Sequence, residues 1–320
     1  MKKITKILLR TLAAILCTVL VLCMGVFIWS KVYYHDFYKD ADRVMAIPGL
    51  NDGFVPQGFV YEEQEKVFLI SGYMKDDTKA SRIYVVGEDG SSKFVELMED
   101  KQTPYTGHCG GVAISGDNVY ISSDEDYLAV FSLKDVLDGG NAQWKGSVNT
   151  GDRTSFCSVV NGYLLTGAFY RAGSYETAQY QHLTTPAGDE NSALIWIYKI
   201  DENIPFGIGD KPVAALSVRE QVQGLTVTDD GKIVLSTSWG LSSSALWLYE
   251  MDERVGTVQG QDVPLYYLDS ANLVETVKAP PMSEEMVFLN GRVYFLTESA
   301  CTKYIFGNFI DGRHVFAYQF

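Results

Sequence analysis

Hydrophobic and polar positions follow two different rhythms along this chain. Residues 11–30 carry no charged side chain and form one continuous apolar stretch, whereas beyond residue 42 the apolar positions come in short runs, each closed by a turn signal. Twenty residues of helix rise about 30 Å, the thickness of a bilayer core. The later runs show no sustained 3.6-residue period, which argues for strands and against a helical bundle.

Those strands repeat. Gln57-Gly58-Phe59-Val60-Tyr61, followed by the apolar run 67–71, returns four more times, with Gln57 level with Gly110, Ser155, Gln223 and Glu284. Second strands fall at 67–71, 119–122, 163–166, 233–236 and 293–297, after turns that include Asn161-Gly162, Asp230-Gly231 and Asn290-Gly291. Asn-Gly and Asp-Gly supply the positive φ angles of a tight hairpin. Third strands, rich in β-branched and aromatic residues, follow at 83–86, 128–131, 194–198, 246–249 and 314–318. Near-continuous apolar runs of this length imply burial on both faces. Fourth strands are legible at 94–97, 144–148, 213–218 and 273–277, but the last unit has none. Residues 44–47, ahead of the first repeat, supply the missing strand.

Sequential four-stranded units, with an N-terminal strand completing the last, describe an all-β fold: a five-bladed β-propeller over residues 43–320. Closing the ring removes the wet end faces and the open edge that a linear stack would leave. The expected organisation is a cytoplasmic basic segment at 1–10, a transmembrane anchor at 11–30, a stem at 31–42 and the propeller at 43–320.

Charge refines this picture. Lys2, Lys3, Lys6 and Arg10 precede the apolar stretch, which places the N-terminus in the cytoplasm and the propeller outside the membrane on a single-pass anchor. The stretch is longer than the apolar region of a cleavable signal, and no small-residue cleavage site follows it. Beyond residue 31 the chain has 21 Lys plus Arg against 40 Asp plus Glu. So acidic a surface repels phosphate backbones and argues against a nucleic-acid partner. Cys17 and Cys23 lie in the anchor, leaving Cys109, Cys157 and Cys301 outside, an odd number that argues against a disulfide framework and leaves room for one bridge, Cys109 to Cys157.

In a propeller, the connections into the first strands and those from second to third strands share one face. That face is the expected ligand face. It gathers Gln57, His108, Ser155, Gln223, Glu284 and Glu285 near the channel mouth, surrounded by Tyr73, residues 124–126, Tyr170, Arg171, Trp239, Glu298, Lys303 and Tyr304. The insertion 168–191, with Tyr175, Tyr180, Gln181 and His182, is long enough to fold over the mouth as a lid. For Gln57 and Gln223, hydrogen bonding to crowded inner strands stands beside ligand contact. His108 with Cys109 and Cys157 offers thiolate and imidazole donors for a metal, set against simple burial of small thiols. Glu284, Glu285 and Glu298 are costly to bury without a cation, so a bound divalent metal or basic ligand competes there with plain solvation. Tyr73, Tyr170, Trp239 and Tyr304 either pack between loops or form a stacking platform for a sugar. The chain has no Gly-x-Ser-x-Gly, His-Glu-x-x-His or Gly-x-x-x-x-Gly-Lys motif.

Through Pro56-Gln57-Gly58, Gly107-His108-Cys109-Gly110-Gly111, Gln223-Gly224-Leu225 and Thr297-Glu298-Ser299-Ala300, the chain resembles a group of uncharacterised bacterial secreted or membrane-anchored propellers. More distantly it resembles the gluconolactonase and strictosidine-synthase-like propellers. The second resemblance implies a glutamate, matched here by Glu284, that binds Ca2+ and polarises a lactone carbonyl. Two functions are therefore expected. One is a membrane-tethered extracytoplasmic propeller that binds a small molecule, glycan or protein at the channel mouth. The other is a metal-assisted hydrolase of a small lactone, ester or glycoside, with Glu284 and Glu298 as metal ligands or acid and base and His108 as proton shuttle.

Overall fold

Five sheets, each led by one of the repeated Gln-Gly-like segments, stand around a common channel in the computed structural model, which describes residues 2–258, 260, 262–304 and 306–320. The innermost strands are Phe54–Glu62, Val112–Ser115, Phe156–Val160, Val222–Val227 and Ser283–Leu289. Each contacts the next in a cycle that returns from the fifth to the first. Every sheet then runs outward through antiparallel second, third and fourth strands. The chain is thus a five-bladed β-propeller.

Five apolar layers fill the gaps between blades. Phe54, Phe68 and Ile70 meet Leu296 and Val315 between the first and fifth blades, and Phe156 and Leu165 meet Leu225 and Leu235 between the third and fourth. Second and third strands alternate their side chains between two such layers, which is why their sequences read as unbroken apolar runs.

The outer edges depart from the sequence expectation. The fourth strand expected at 144–148 lies at Gly146–Asn149 in the second blade, and an unexpected strand just before it, Gly140–Gln143, pairs in parallel with Ser92–Met98 of the first. Pro264–Tyr267 likewise runs parallel to Ala214–Val218 of the third blade and carries Val255–Thr257 beyond it. The long connections of the second and fourth blades each reach back to cover the preceding blade's open edge, where unpaired N–H and C=O groups would otherwise stand.

At the N-terminus, helix α1 (Lys2–Tyr33) is long and apolar enough to span a membrane or to serve as a signal sequence. The segment expected to be an irregular stem to residue 42 is ordered: α1 runs through Tyr33, and α2 (His35–Asp40) follows. α2 buries Phe37 against Phe295, Phe316 and Tyr318. These scattered aromatics lack a period because only one turn of α2 faces the propeller. The strand expected at 44–47 begins earlier, at Ala41. Ala41–Ala46 pairs antiparallel with His314–Tyr318, Ala41 opposite Tyr318 and Ala46 opposite His314.

Candidate functional site

A cavity of about 460 Å³ opens at one end of the channel. Its floor is Gln57, Gly110, Ser155, Gln223 and Glu284, the opening residue of each of the five repeats. Its walls come from the second-to-third strand connections: Tyr73, Asp124, Phe169 and Tyr175, Trp239, then Glu298, Lys303 and Tyr304. His108 and Met282, from the segments entering their blades, and Ser238 and Gly240, beside Trp239, complete the lining.

Local backbone geometry aims these residues. The ladder slips between Pro56 and Phe59, between Val222 and Gly224, and between Ser283 and Met286. Such irregularities free a residue from regular pairing and re-aim its side chain, here Gln57, Gln223 and Glu284. Cys109, Asp124 and Met282 hold positive φ angles of 55°, 64° and 63° at the cavity edge. Non-glycine residues rarely accept this conformation, and its cost of roughly 1–3 kcal/mol is characteristically found at functional sites.

Beneath the floor, one residue at the next position of the repeat fills the channel. Glu285 does this from the fifth blade: its Oε2 accepts from Phe59 N at 2.9 Å and Val112 N at 2.8 Å, and its Oε1 from Cys157 N at 3.1 Å. Gly58, Gly111 and Gly224 occupy the matching position in three other blades. A Cβ at Gly111 would fall 2.5 Å from Cys157 N, and one at Gly224 2.6 Å from Glu285 Cα. Glu285, expected at the mouth, is therefore a buried tie between blades. Burial pushes its carboxyl well above the usual range, against the pull of the three N–H groups.

The two other glutamates face the cavity. Glu298 Oε2 accepts from Gln57 Nε2 at 2.8 Å, and the same amide nitrogen donates to Pro56 O at 2.8 Å. Burial raises Glu298 to about 7, while Lys303 and the Gln57 bond hold it back. Glu284 is 2% exposed, and no described side chain or backbone N–H donates to its carboxylate. Burial, reinforced by Glu298, Glu285 and Asp124, pushes it well above the carboxylate range.

Around this acidic pair the wall is aromatic. Tyr73 stacks on His108 with ring centroids 4.8 Å apart, and its hydroxyl meets Lys303 Nζ. Desolvation raises Tyr73 and Tyr304 above the usual phenol value, with Glu298 adding to both. His108 Nδ1 lies 3.2 Å from Asp124 Oδ2 without the alignment of a hydrogen bond. Burial holds this imidazole below its ordinary pKa, against the pull of Asp124. Across the cavity Trp239 packs 6.0 Å from both Phe169 and Tyr175.

Several expected residues stand elsewhere. Tyr170 lies edge-on to His182, and Arg171 stacks its guanidinium 4.2 Å from the Trp239 ring, so both are outside the lining. The insertion 168–191 is pinned to the third blade: Tyr180 donates to Asp152, Gln181 accepts from Leu194 N, and His182 Nε2 bonds Thr177 Oγ1. Only its early part, through Phe169 and Tyr175, reaches the cavity. Cys109, Cys157 and Cys301 are free thiols, and burial raises Cys109 to about 12. Cys109 Sγ points to Gly107 O and Cys157 Sγ to Tyr120 O, so His108, Cys109 and Cys157 do not converge. Among the described residues no three His, Cys, Asp or Glu side chains are grouped as a metal would require, Glu284, Glu298 and His108 included. Phe169, Ser238 and Met282 line the cavity without having been expected there. A signal existed only for Met282, which stands just before the repeat that Glu284 opens.

No protein-family model and no curated protein matches the chain. Among solved structures it is similar to the glutaminyl cyclase of Myxococcus xanthus, at 12% identity over 87% of this chain and 94% of that one, with a TM-score of 0.45. It is also similar to the PQQ-bound aldose sugar dehydrogenase of Streptomyces coelicolor, at 15% identity over 80% and 76%, with a TM-score of 0.40. The WD40 propeller domain of Doa1 matches at 8% identity over 87% and 96%, with a TM-score of 0.42. Similarity at this level carries no inference about activity.

Proposed function

We propose that the chain is a membrane-tethered, extracytoplasmic propeller that binds a small organic cation in the cavity at its channel mouth. The observation that carries this reading is Glu284, a carboxyl 2% exposed in the cavity floor to which no donor is found among the described residues. An unpaired buried carboxylate is expensive, and a positively charged group in the cavity relieves that cost. Glu298 already has Gln57 and Lys303, whereas Glu284 is left for a ligand. Trp239, Phe169 and Tyr175 supply an aromatic wall suited to the ligand's apolar or cationic part. The tether rests on α1, and the outward orientation on the basic residues Lys2, Lys3, Lys6 and Arg10 at its N-terminal end.

A second reading has its own support. Glu298, raised to about 7, is poised as a general acid or base for hydrolysis of a lactone, ester or glycoside, and Glu284 beside it would share the work. The metal-assisted form of that chemistry has less behind it, because the donors are not grouped.

Calorimetric titration of the full chain with a panel of amines, guanidines, polyols and divalent ions separates these readings. Binding of an amine or guanidine that is abolished by Glu284→Gln supports the first. Tight binding of a divalent ion, also lost in Glu284→Gln, would replace it with the metal-assisted one. Turnover of a chromogenic ester, lost in Glu298→Gln, would favour acid-base hydrolysis.

A further inference from the structure

The two loops that form one side of the cavity also hold the end of α1. Residues 238–243 contribute Ser238 and Trp239 to the lining, and at their far end Ser243 Oγ meets Tyr34 Oη at 3.2 Å. Residues 298–313 contribute Glu298, Lys303 and Tyr304, and at their far end Asp311 Oδ2 accepts from Lys31 Nζ at 2.9 Å while Ile310 O accepts from Tyr38 Oη at 2.9 Å. Ser30 and Tyr34 are buried in this joint, whereas the helix before Ser30 lies exposed, away from the propeller.

This joint fixes the distance to the bilayer. Lys31 is the first charge after the uncharged run 11–30, so it marks where the chain leaves the hydrocarbon. Its ammonium is already bound to the propeller and sits 3.3 Å from the Tyr38 ring centroid. Trp29 and Tyr33 stack at 4.8 Å at the same level, and these are the residue types that collect at the membrane–water boundary. No spacer separates that boundary from the cavity loops. The same loops expose large apolar side chains: Leu241 at 71% and Phe309 at 39%. Scattered apolar residues are ordinary on a surface, but here they share the face from which the membrane helix departs.

We propose that the cavity-bearing face lies against the bilayer, with Leu241 and Phe309 seated among the lipid headgroups, and that ligand reaches the cavity from the lipid side. This rests on α1 being a membrane span, as the proposed function holds. It adds that the ligand is presented at the bilayer surface, as the polar head of a membrane-held amphiphile or a species released from one.

The test uses the full chain in phosphatidylcholine proteoliposomes. With Cys17 and Cys23 replaced by Ala, bimane is attached at Leu241→Cys or Phe309→Cys, and at Glu63→Cys or Asp229→Cys on the opposite hairpins. The buried native thiols are checked in the parent for absence of label. A separate protein keeps Cys17 as the tether probe. Spin-labelled lipid should quench Leu241→Cys and Phe309→Cys by about twofold or more, as expected of side chains at headgroup depth, and leave Glu63→Cys and Asp229→Cys unchanged. A quenched Cys17 probe with unquenched Leu241→Cys and Phe309→Cys would overturn the orientation and keep the tether. An unquenched Cys17 probe would overturn both.

Discussion

Gln57 of the first blade donates its side-chain N–H to the carboxylate of Glu298 in the fifth, at 2.8 Å, across the seam where the ring closes. The bond ties the floor of the cavity to its wall. Burial, opposed by this bond and by Lys303, raises Glu298 to about 7, so the site's ionisation is coupled to the stability of the whole propeller.

That coupling has a definite sign. Glu298 moves from an ordinary 4.5 to about 7 on folding, so between these values the folded chain binds more protons than the unfolded one. Stability is highest below about pH 4.5 as far as this group is concerned, and it falls as pH rises toward 7, by about 3 kcal/mol in total. The melting temperature of the full chain in detergent should decline from pH 5 to pH 8, and Glu298→Gln should remove the part of that slope that Glu298 carries, leaving the part due to the raised Glu284 and Glu285. An equal slope in the variant would show that Glu298 does not carry it.

Glu285 holds three blades through three backbone N–H groups. Glu285→Ala strands those donors in a buried channel at about 1–3 kcal/mol each, so a loss of at least about 3 kcal/mol is expected. For a domain of this size that is a fall of roughly 6 °C or more in melting temperature. Gly224→Ala should also destabilise, because its new methyl would meet the Glu285 backbone. Melts that match the parent in both variants would refute the channel tie.

Ring closure depends on Ala41–Ala46 and on α2. Deleting residues 32–47 removes the outer strand of the fifth blade and uncovers the aromatic layer around Phe37. The melting temperature should fall sharply, and Phe37→Ala alone should cost about 3–5 kcal/mol. An unchanged melt after the deletion would contradict closure by this strand.

Asp311 gathers Lys31, Arg43 and His314, with its side chain 6% exposed. Lys31 and Arg43 are themselves 31% and 49% exposed and can be rehydrated, so Asp311→Ala should cost about 1–3 kcal/mol. It should also free α1 from the propeller, seen as faster proteolysis near residue 31 in liposomes. Unchanged stability and protection would mean that the joint is held by the aromatic contacts alone.

Much of this was legible in the sequence because it repeats. The blade count and the five floor positions followed from aligning Gln57, Gly110, Ser155, Gln223 and Glu284, since apolar runs and turn residues carry a local signal. Glu285 was misplaced because it follows Glu284 in sequence, while the irregular ladder sends the two side chains to different places. Gly140–Gln143 and Pro264–Tyr267 were invisible because they pair with the preceding blade, an arrangement no local pattern encodes. The lid reading of 168–191 failed for the same reason: Asp152, distant in sequence, accepts from both Tyr180 and Trp196 and helps hold the insertion to its blade.

The central claim is that the cavity binds a cation through Glu284. Its most direct test is a thermal-shift screen of organic cations against the full chain at pH 7, with Glu284→Gln and Trp239→Ala in parallel. A cation at a hundred times its dissociation constant adds about 2.7 kcal/mol, a shift of roughly 5 °C or more. The account predicts such a shift in the parent, its loss in Glu284→Gln and its weakening in Trp239→Ala. A cation that stabilises all three proteins equally, or a panel that stabilises none, would contradict it.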